Sequence, residues 1–127
     1  MQTTMPDGRP TTIATGSRNE ALATRYLVRR GYAIIDRNFK TKIGELDIVA
    51  RDRRTLVFVE VRSRASADYG SALEAVTWEK QRRVSRMAKM YLSARRPRFD
   101  ECRFDVVAIT GERIELIRDA WRLGDRI

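Results

Sequence analysis

Histidine is absent from all 127 residues, and that absence excludes more chemistry than any residue present. It removes the commonest general base, every Ser–His or Cys–His nucleophile and the two-His iron sites. Cysteine occurs once, at Cys102, so no internal disulfide forms, and with no His there is no zinc-binding set. A reducing, cytoplasmic setting is expected, with Cys102 as a small core hydrophobe. No apolar run approaches the length of a membrane span, and no signal-peptide core stands near the N-terminus, so no membrane partner is expected. Any hydrolytic chemistry must rest on carboxylates, a metal ion, Lys or Arg.

Acid is in deficit as well. Seventeen Asp and Glu stand against 26 Lys and Arg, a net charge of +9 and a pI near 10.6. An anionic partner follows, with nucleic acid ahead of an anionic membrane or an acidic protein. A basic protein with no specific site is the plainer alternative. The length allows one domain around one core, and an apolar share of 43% is ordinary for a globular chain. Residues 1–15, with five Thr, two Pro and little apolar content, read as a disordered leader, which leaves 16–127 as the single domain.

The most informative stretch is residues 44–64. Leu46 to Arg51 and Leu56 to Val61 are rich in β-branched and aromatic residues, and Asp52-Arg53-Arg54-Thr55 between them is a turn. With Arg53-Arg54 at the tip, Asp52 pairs with Thr55, and counting back sets Asp47 opposite Glu60. Alternation puts Asp47, Val49, Arg51, Phe58, Glu60 and Arg62 on one face. Leu46, Ile48, Ala50, Val57, Val59 and Val61 fall on the other. Opposed carboxylates, roughly 5 Å apart at Cβ, repel unless a cation compensates them. Two readings stay open. A hard divalent cation such as Mg²⁺ sits between them, or Arg62 forms an ion pair with one of the acids. The register is the sensitive step, because a one-residue slip flips an acid to the other face.

Around the hairpin, Ser17-Arg-Asn-Glu20 has capping-box spacing, so a helix is predicted from Ser17 to a C-terminal cap at Gly31, with Leu22, Tyr26 and Leu27 as its buried stripe. Glu20 is then either the cap residue or a third acid near the site. Tyr32 to Phe39 reads as a strand, and Gly44 permits a tight approach into the hairpin. Residues 63–76 read as a loop following the site. Thr77 caps a helix to about Arg95, ended by Pro97, with Val84, Met87, Ala88, Tyr91 and Leu92 as its core stripe and Met90 also packing. Its other faces carry Lys80, Arg82, Arg83, Arg86 and Lys89, then Arg95 and Arg96, against Glu79 alone. With Arg64, the residues Arg82, Arg83, Arg86 and Lys89 are candidates for phosphate contacts, a solvated basic face being the alternative. Arg103 to Ile109 and Arg113 to Arg118 read as two further strands joined at Gly111-Glu112, the last at an edge. Asp105 reads as a structural acid. Trp78 and Trp121 read as core or interface anchors. The order helix, three strands, helix, two strands argues for an α/β fold with a mixed sheet flanked by helices.

These residues resemble a known family. Glu20, Gly31-Tyr32, Arg37-Asn38, Gly44-Glu45-Leu46-Asp47, Leu56-Val57-Phe58-Val59-Glu60-Val61-Arg62, Lys80, Tyr91-Leu92 and Arg103-Phe104-Asp105-Val106-Val107 are similar to the YraN-like family. That bacterial family is described as endonucleases related to Holliday-junction resolvases, and the likeness runs from about residue 16 to 121. It implies the restriction-endonuclease-like PD-(D/E)xK fold. It further implies that Asp47 and Glu60 hold Mg²⁺ or Mn²⁺, with the backbone carbonyl of Val61 as a further ligand and Glu20 assisting. The superfamily's lysine position holds Arg62, which stabilises charge but is too basic to give up a proton. Lys80 replaces that lysine if it reaches the site.

The expected activity is metal-dependent hydrolysis of DNA, with branched or junction DNA suggested by the family likeness alone. The rivals are a non-catalytic nucleic-acid-binding module on the same fold and an interaction protein docking an acidic partner. RNA stays open as a substrate. A two-fold junction would suit a homodimer, though no residue argues for one.

Overall fold

Tight turns and one helical crossover set the sheet. The computed structural model describes residues 12–64 and 76–125. Helix α1 spans Thr12–Arg29, followed by strands β1 (Ala33–Thr41), β2 (Gly44–Asp52) and β3 (Thr55–Ser63). Helix α2 (Trp78–Arg95) then crosses over to β4 (Glu101–Thr110) and β5 (Arg113–Trp121), with a short 3₁₀ turn at Leu123–Asp125. The strands lie side by side in the order β1-β2-β3-β4-β5. Neighbouring pairs are antiparallel except β3 and β4, which run parallel across the α2 connection. A five-stranded mixed sheet between two helices, in the order α-β-β-β-α-β-β, is a restriction-endonuclease-like fold.

The hairpin register follows the predicted turn. Asp52 pairs with Thr55 and the ladder runs back to Ile48 opposite Val59, so the next step sets Asp47 level with Glu60. One strand assignment needs correction. Leu46 packs with Val49, Leu56 and Phe58 under α2, whereas Ile48, Ala50, Val57 and Val59 pack with Ala23 and Leu27 of α1. Leu46 and Ile48 thus face opposite sides, so alternation breaks at Asp47. The neighbouring strand is irregular at the same level, where Asn38 holds a left-handed φ of 55°. Simple alternation cannot anticipate such a break.

Helix α1 begins at Thr12 rather than Ser17. Ser17 and Glu20 therefore lie inside the helix, and the capping-box reading of Glu20 fails. The expected leader is described only from Thr12, and residues 1–11 lie outside the described part. The C-terminal end is as predicted. Gly31, at φ 91°, donates to the carbonyl of Val28, and Tyr32 donates to that of Leu27, both at 3.0 Å. Those two bonds form a Schellman cap, which requires the left-handed conformation that glycine adopts without strain. The buried stripe is Ala23 and Leu27; Tyr26 is half-buried, with its ring under the Arg30 guanidinium.

Thr77 caps α2 by accepting the Lys80 N–H at 3.2 Å, and Val84, Met87, Ala88 and Tyr91 are buried on one stripe. Phe58, Phe104 and Trp121 stack in series beneath them. Met90 departs from expectation: it is 38% exposed, off the buried stripe and beside the end of β1. Trp78 is 55% exposed, which excludes a core role and leaves that of an interface anchor. Trp121 is buried as expected, and its indole N–H donates to Ser85 at 2.9 Å. That contact places Trp121 within β5, three residues beyond the predicted strand end. The expected loop after the hairpin falls largely on residues 65–75, outside the described part.

Candidate active site

Glu60 sits two-thirds along β3, the central strand, with neighbours on both sides, and is 3% exposed. Its face of the strand is covered by the first turn of α2. Thr77 caps that turn and so fixes the helix start that aims Lys80 inward. Lys80 Nζ lies 3.4 Å from Glu60 Oε1, and the Arg62 guanidinium lies 3.9 Å from the same oxygen. Lys80 thus reaches the site from the crossover helix.

Asp47 lies beside Glu60 at the break in β2. Its Oδ2 accepts the backbone N–H of Val61 at 2.9 Å. In an extended residue the N–H and C=O point to the same strand edge, so the Val61 carbonyl also faces the Asp47 side. Burial, together with the Glu60 carboxylate, pushes the Asp47 pKa up to about 7. Burial raises Glu60 as well, opposed by Lys80 and Arg62. Both carboxyls are raised, and the two titrate as a pair that resists carrying two negative charges at once.

Glu20 approaches from the opposite helix. Its Oε1 is buried and makes no hydrogen bond, with Arg37 Nε 3.5 Å away. Burial and the Asp47 charge raise its pKa, while Arg37 and Asn38 pull it back down. Glu20, Asn19, Asp47, Val61 and Ser63 line one cleft of about 190 Å³. Alpha-helical spacing carries Glu20 there without any capping role. Arg37 and Asn38, which brace it, were not predicted as site residues. The only local signal was the tolerance of Asn for left-handed backbone.

Size does not select this site. A larger cleft of about 740 Å³ lies at the far hairpin tip. Its charges satisfy one another: Arg54 pairs with Asp100 at 3.6 Å and Arg118 with Asp52 at 2.6 Å. At the Glu60 end, by contrast, two carboxyls adjoin closely enough for each to shift the other's pKa.

Asp105 is wholly buried and fully engaged. Its carboxylate accepts from Tyr32 Oη at 2.6 Å, Arg103 Nε at 3.0 Å and the Asp119 N–H at 2.8 Å. It is structural and outside the site. Arg82, Arg83, Arg86 and Lys89 are all exposed along α2, away from the carboxylates. Arg95 is taken by Asp36 at 3.4 Å, and Arg96 ends the helix, its N–H on Leu92. The backbone of Arg64 is bonded to Ile109 at 2.8 Å.

Glu20, Asp47, Glu60 and Val61 offer hard oxygen donors without nitrogen or sulfur. That donor set matches Mg²⁺ or Mn²⁺ rather than zinc. Among the described residues no group of three or more His, Cys, Asp or Glu is close enough to hold an ion. The share such an ion would take from the protein is two carboxylates, Asp47 and Glu60, and the Val61 carbonyl. This suits a cation that keeps several waters and takes phosphate oxygens from its substrate. The Glu20 oxygen that makes no hydrogen bond and the carboxylate pair raised by burial leave oxygen donors that fit such an ion.

Fold and site together define a class: a small α/β protein of restriction-endonuclease-like fold with an acid pair where β2 and β3 meet. Within that class, the chain belongs to the Uncharacterised protein family UPF0102, the YraN family, whose model matches residues 19–109. A UPF0102 protein of Syntrophus aciditrophicus is 45% identical over 115 residues, covering 87% of this chain and 91% of its own length. One from Ralstonia pickettii is 46% identical over 117 residues, covering 89% and 94%. Another, from Geobacter metallireducens, is 51% identical over 96 residues, covering 75% and 78%.

Proposed function

We propose that this protein is a metal-dependent nuclease that hydrolyses phosphodiester bonds in DNA. One observation carries the reading: the buried Glu60 and the half-buried Asp47 share a site with a lysine 3.4 Å from Glu60. A structural ion pair needs one acid and one cation. Here two adjoining carboxylates, rather than one, face Lys80 and the more distant Arg62, an arrangement that suits a divalent ion and a phosphate.

Asp47, Glu60 and the Val61 carbonyl would hold Mg²⁺ or Mn²⁺. Such an ion, when bound, polarises the scissile phosphate and lowers the pKa of a coordinated water. Lys80 stands where the superfamily's lysine is needed, contributed by α2 rather than β3. Its ammonium orients the attacking water and neutralises charge building on phosphorus. Arg62, more exposed and 3.9 Å from Glu60, contacts a non-bridging oxygen and releases no proton. Glu20, from the other side of the cleft, positions water on the Asp47 side. Arg82, Arg83, Arg86 and Lys89 track the phosphate backbone from α2. Among the described residues no helix is long and apolar enough to cross a membrane. The lone Cys102, whose thiol burial pushes up to about 11, fits a reducing cytoplasmic setting.

The test is cleavage of labelled linear, flapped and four-way-junction DNA with Mg²⁺ or Mn²⁺, comparing wild type with Glu60→Gln. Metal-dependent cutting that disappears in the variant supports the proposal and ranks the substrates. Intact binding with no cutting of any substrate would favour a non-catalytic nucleic-acid-binding module, the reading that Arg62 in the lysine position recommends.

A further inference from the structure

A groove outside the acid site runs between the end of β1 and the second half of α2. Phe39, Lys40, Thr41, Lys42, Met90 and Ala94 line it, enclosing about 610 Å³. Its floor is apolar. Phe39 packs edge-on against Tyr91, 5.0 Å between centroids, with the Arg95 guanidinium 5.1 Å from its ring centre. Met90 leaves 38% of its surface in solvent there. Its rim is cationic, since Lys40 and Lys42 are both exposed and no acid lines the groove. Glu45, opposite Lys40 in the ladder, is the nearest acid on the strands.

The groove is built rather than incidental. Thr41 Oγ1 donates to the Gly44 carbonyl at 2.8 Å and accepts the Ile43 N–H at 3.2 Å, so the turn presenting Lys42 is closed on itself. Gly44 brings that turn against α2: a Cβ there would meet Met87 Sδ at 3.1 Å and Arg83 Cδ at 4.0 Å. The turn continues directly into β2 and reaches Asp47 three residues later. Arg83 stands one helical turn beyond Lys80. Arg83, beside Gly44, and Lys80, beside Glu60, are thus cations of α2 that lie between the lysine rim and the acid pair in the order of the helix.

We infer that this groove holds an unpaired nucleotide of the substrate strand, with its base on the Phe39–Met90–Ala94 floor and its phosphates at Lys40, Lys42 and Arg83. The inference rests on the nuclease reading and narrows its substrate class. A duplex keeps its bases stacked and cannot offer one to an apolar floor, whereas a single strand, flap or splayed arm can. The Thr41 hydroxyl is already engaged, so the groove selects by stacking and charge rather than by base edge. A second copy of a chain carrying +9 would bring like charge to the lysine rim, which disfavours self-association there.

The test is fluorescence anisotropy in EDTA with a labelled single strand, a splayed-arm duplex and a blunt duplex. It compares wild type, Ala94→Glu in the groove and Ser93→Glu on the adjacent solvent face. Both positions are exposed, and thermal melts verify that both variants fold. Ala94→Glu is expected to weaken single-strand and splayed-arm binding about tenfold, equivalent to one lost stacking contact. Blunt-duplex binding and Ser93→Glu should change by no more than about twofold. Equal losses in both variants, or on all three nucleic acids, would overturn the groove assignment. So would polyglutamate binding lost only in Ala94→Glu while nucleic-acid binding stays intact, which would give the groove to an acidic peptide. A wild type that binds and cuts DNA while Ala94→Glu behaves identically sinks the groove alone. A wild type that binds no nucleic acid sinks the nuclease reading beneath it.

Discussion

Lys80 places its ammonium 3.4 Å from Glu60 although twenty residues of chain separate the two. One comes from the centre of the sheet and the other from the first turn of the crossover helix. That juxtaposition supplies a lysine to a site whose strand position holds Arg62.

Removing Lys80 should disable the chemistry and leave the fold. Lys80→Met keeps the stem and deletes the charge. Cleavage is expected to fall on the order of 10²-fold or more, as for loss of one transition-state charge stabiliser. Arg62→Lys should retain or raise activity. If Lys80→Met cuts at the wild-type rate while Arg62→Ala does not, the roles given to the two residues are reversed.

The acid pair should make the metal-free protein less stable as pH rises. Asp47 is lifted to about 7 in the folded state from its ordinary 3.8. A raised carboxylate contributes stability that is fully present below about pH 4 and lost as pH climbs through about 7. Glu60 shifts in the same direction. Urea unfolding in EDTA should therefore show greater stability near pH 5 than near pH 8. In Asp47→Asn the difference should shrink. An unchanged pH slope in that variant would mean the pair is not the source.

Metal should reverse that slope. Binding to the folded state alone stabilises by mass action, and protons compete for the same carboxylates. Addition of Mn²⁺ or Mg²⁺ is expected to raise the melting temperature more near pH 8 than near pH 5.5. Glu60→Gln should abolish the rise. Calcium giving the same shift without cleavage would locate the ion and separate binding from catalysis.

Asp105 should behave as a structural residue. Replacing it by Ala removes one of the two carboxylates that hold Arg103, itself 9% exposed, and the acceptor of the Tyr32 hydroxyl proton. A cost of about 3–5 kcal/mol is expected, the range for breaking a buried pair from one side. Arg103 would keep Asp52 at 2.9 Å, which limits the loss. Chemical denaturation measures it, and a change below about 1 kcal/mol would place Asp105 among dispensable polar groups.

Charge removal on α2 should read out in salt. Each of Arg82, Arg83 and Arg86 that meets a phosphate contributes about 0.9 to the slope of log K against log salt. Replacing all three by Gln should lower the slope by up to about 2.7 for duplex DNA. A slope that does not move would make that face a solvated one.

The parts of this architecture that were legible in the sequence were those set by local chemistry. The Asp52–Thr55 turn fixed the hairpin count, Gly31 ended the first helix, and Thr77 began the second. The errors arose where tertiary context overrode a local signal. Ser17 and Glu20 have capping spacing, yet the helix continues upstream to Thr12 and Glu20 turns to the cleft. Leu46 was assigned by strict alternation, which fails at the Asp47 break opposite the left-handed Asn38. Met90 shares the apolar character of its neighbours but lies off their stripe. In the site, Asp47 and Glu60 could be paired by counting residues. The reach of Lys80 across the crossover and the bracing of Glu20 by Arg37 and Asn38 depend on helix placement, which no spacing encodes.

Both outermost strands are irregular. In β1 the register slips between Ile34 and Asp36, and in β5 it slips opposite Phe104–Val106, where Asp119 adopts a φ of 56°. A bulged border offers no unbroken row of amides and carbonyls for another sheet to zip onto. Were chains of net charge +9 crowded along a polyanion, smooth borders would invite neighbours to fuse edge to edge, and these irregular margins oppose that contact.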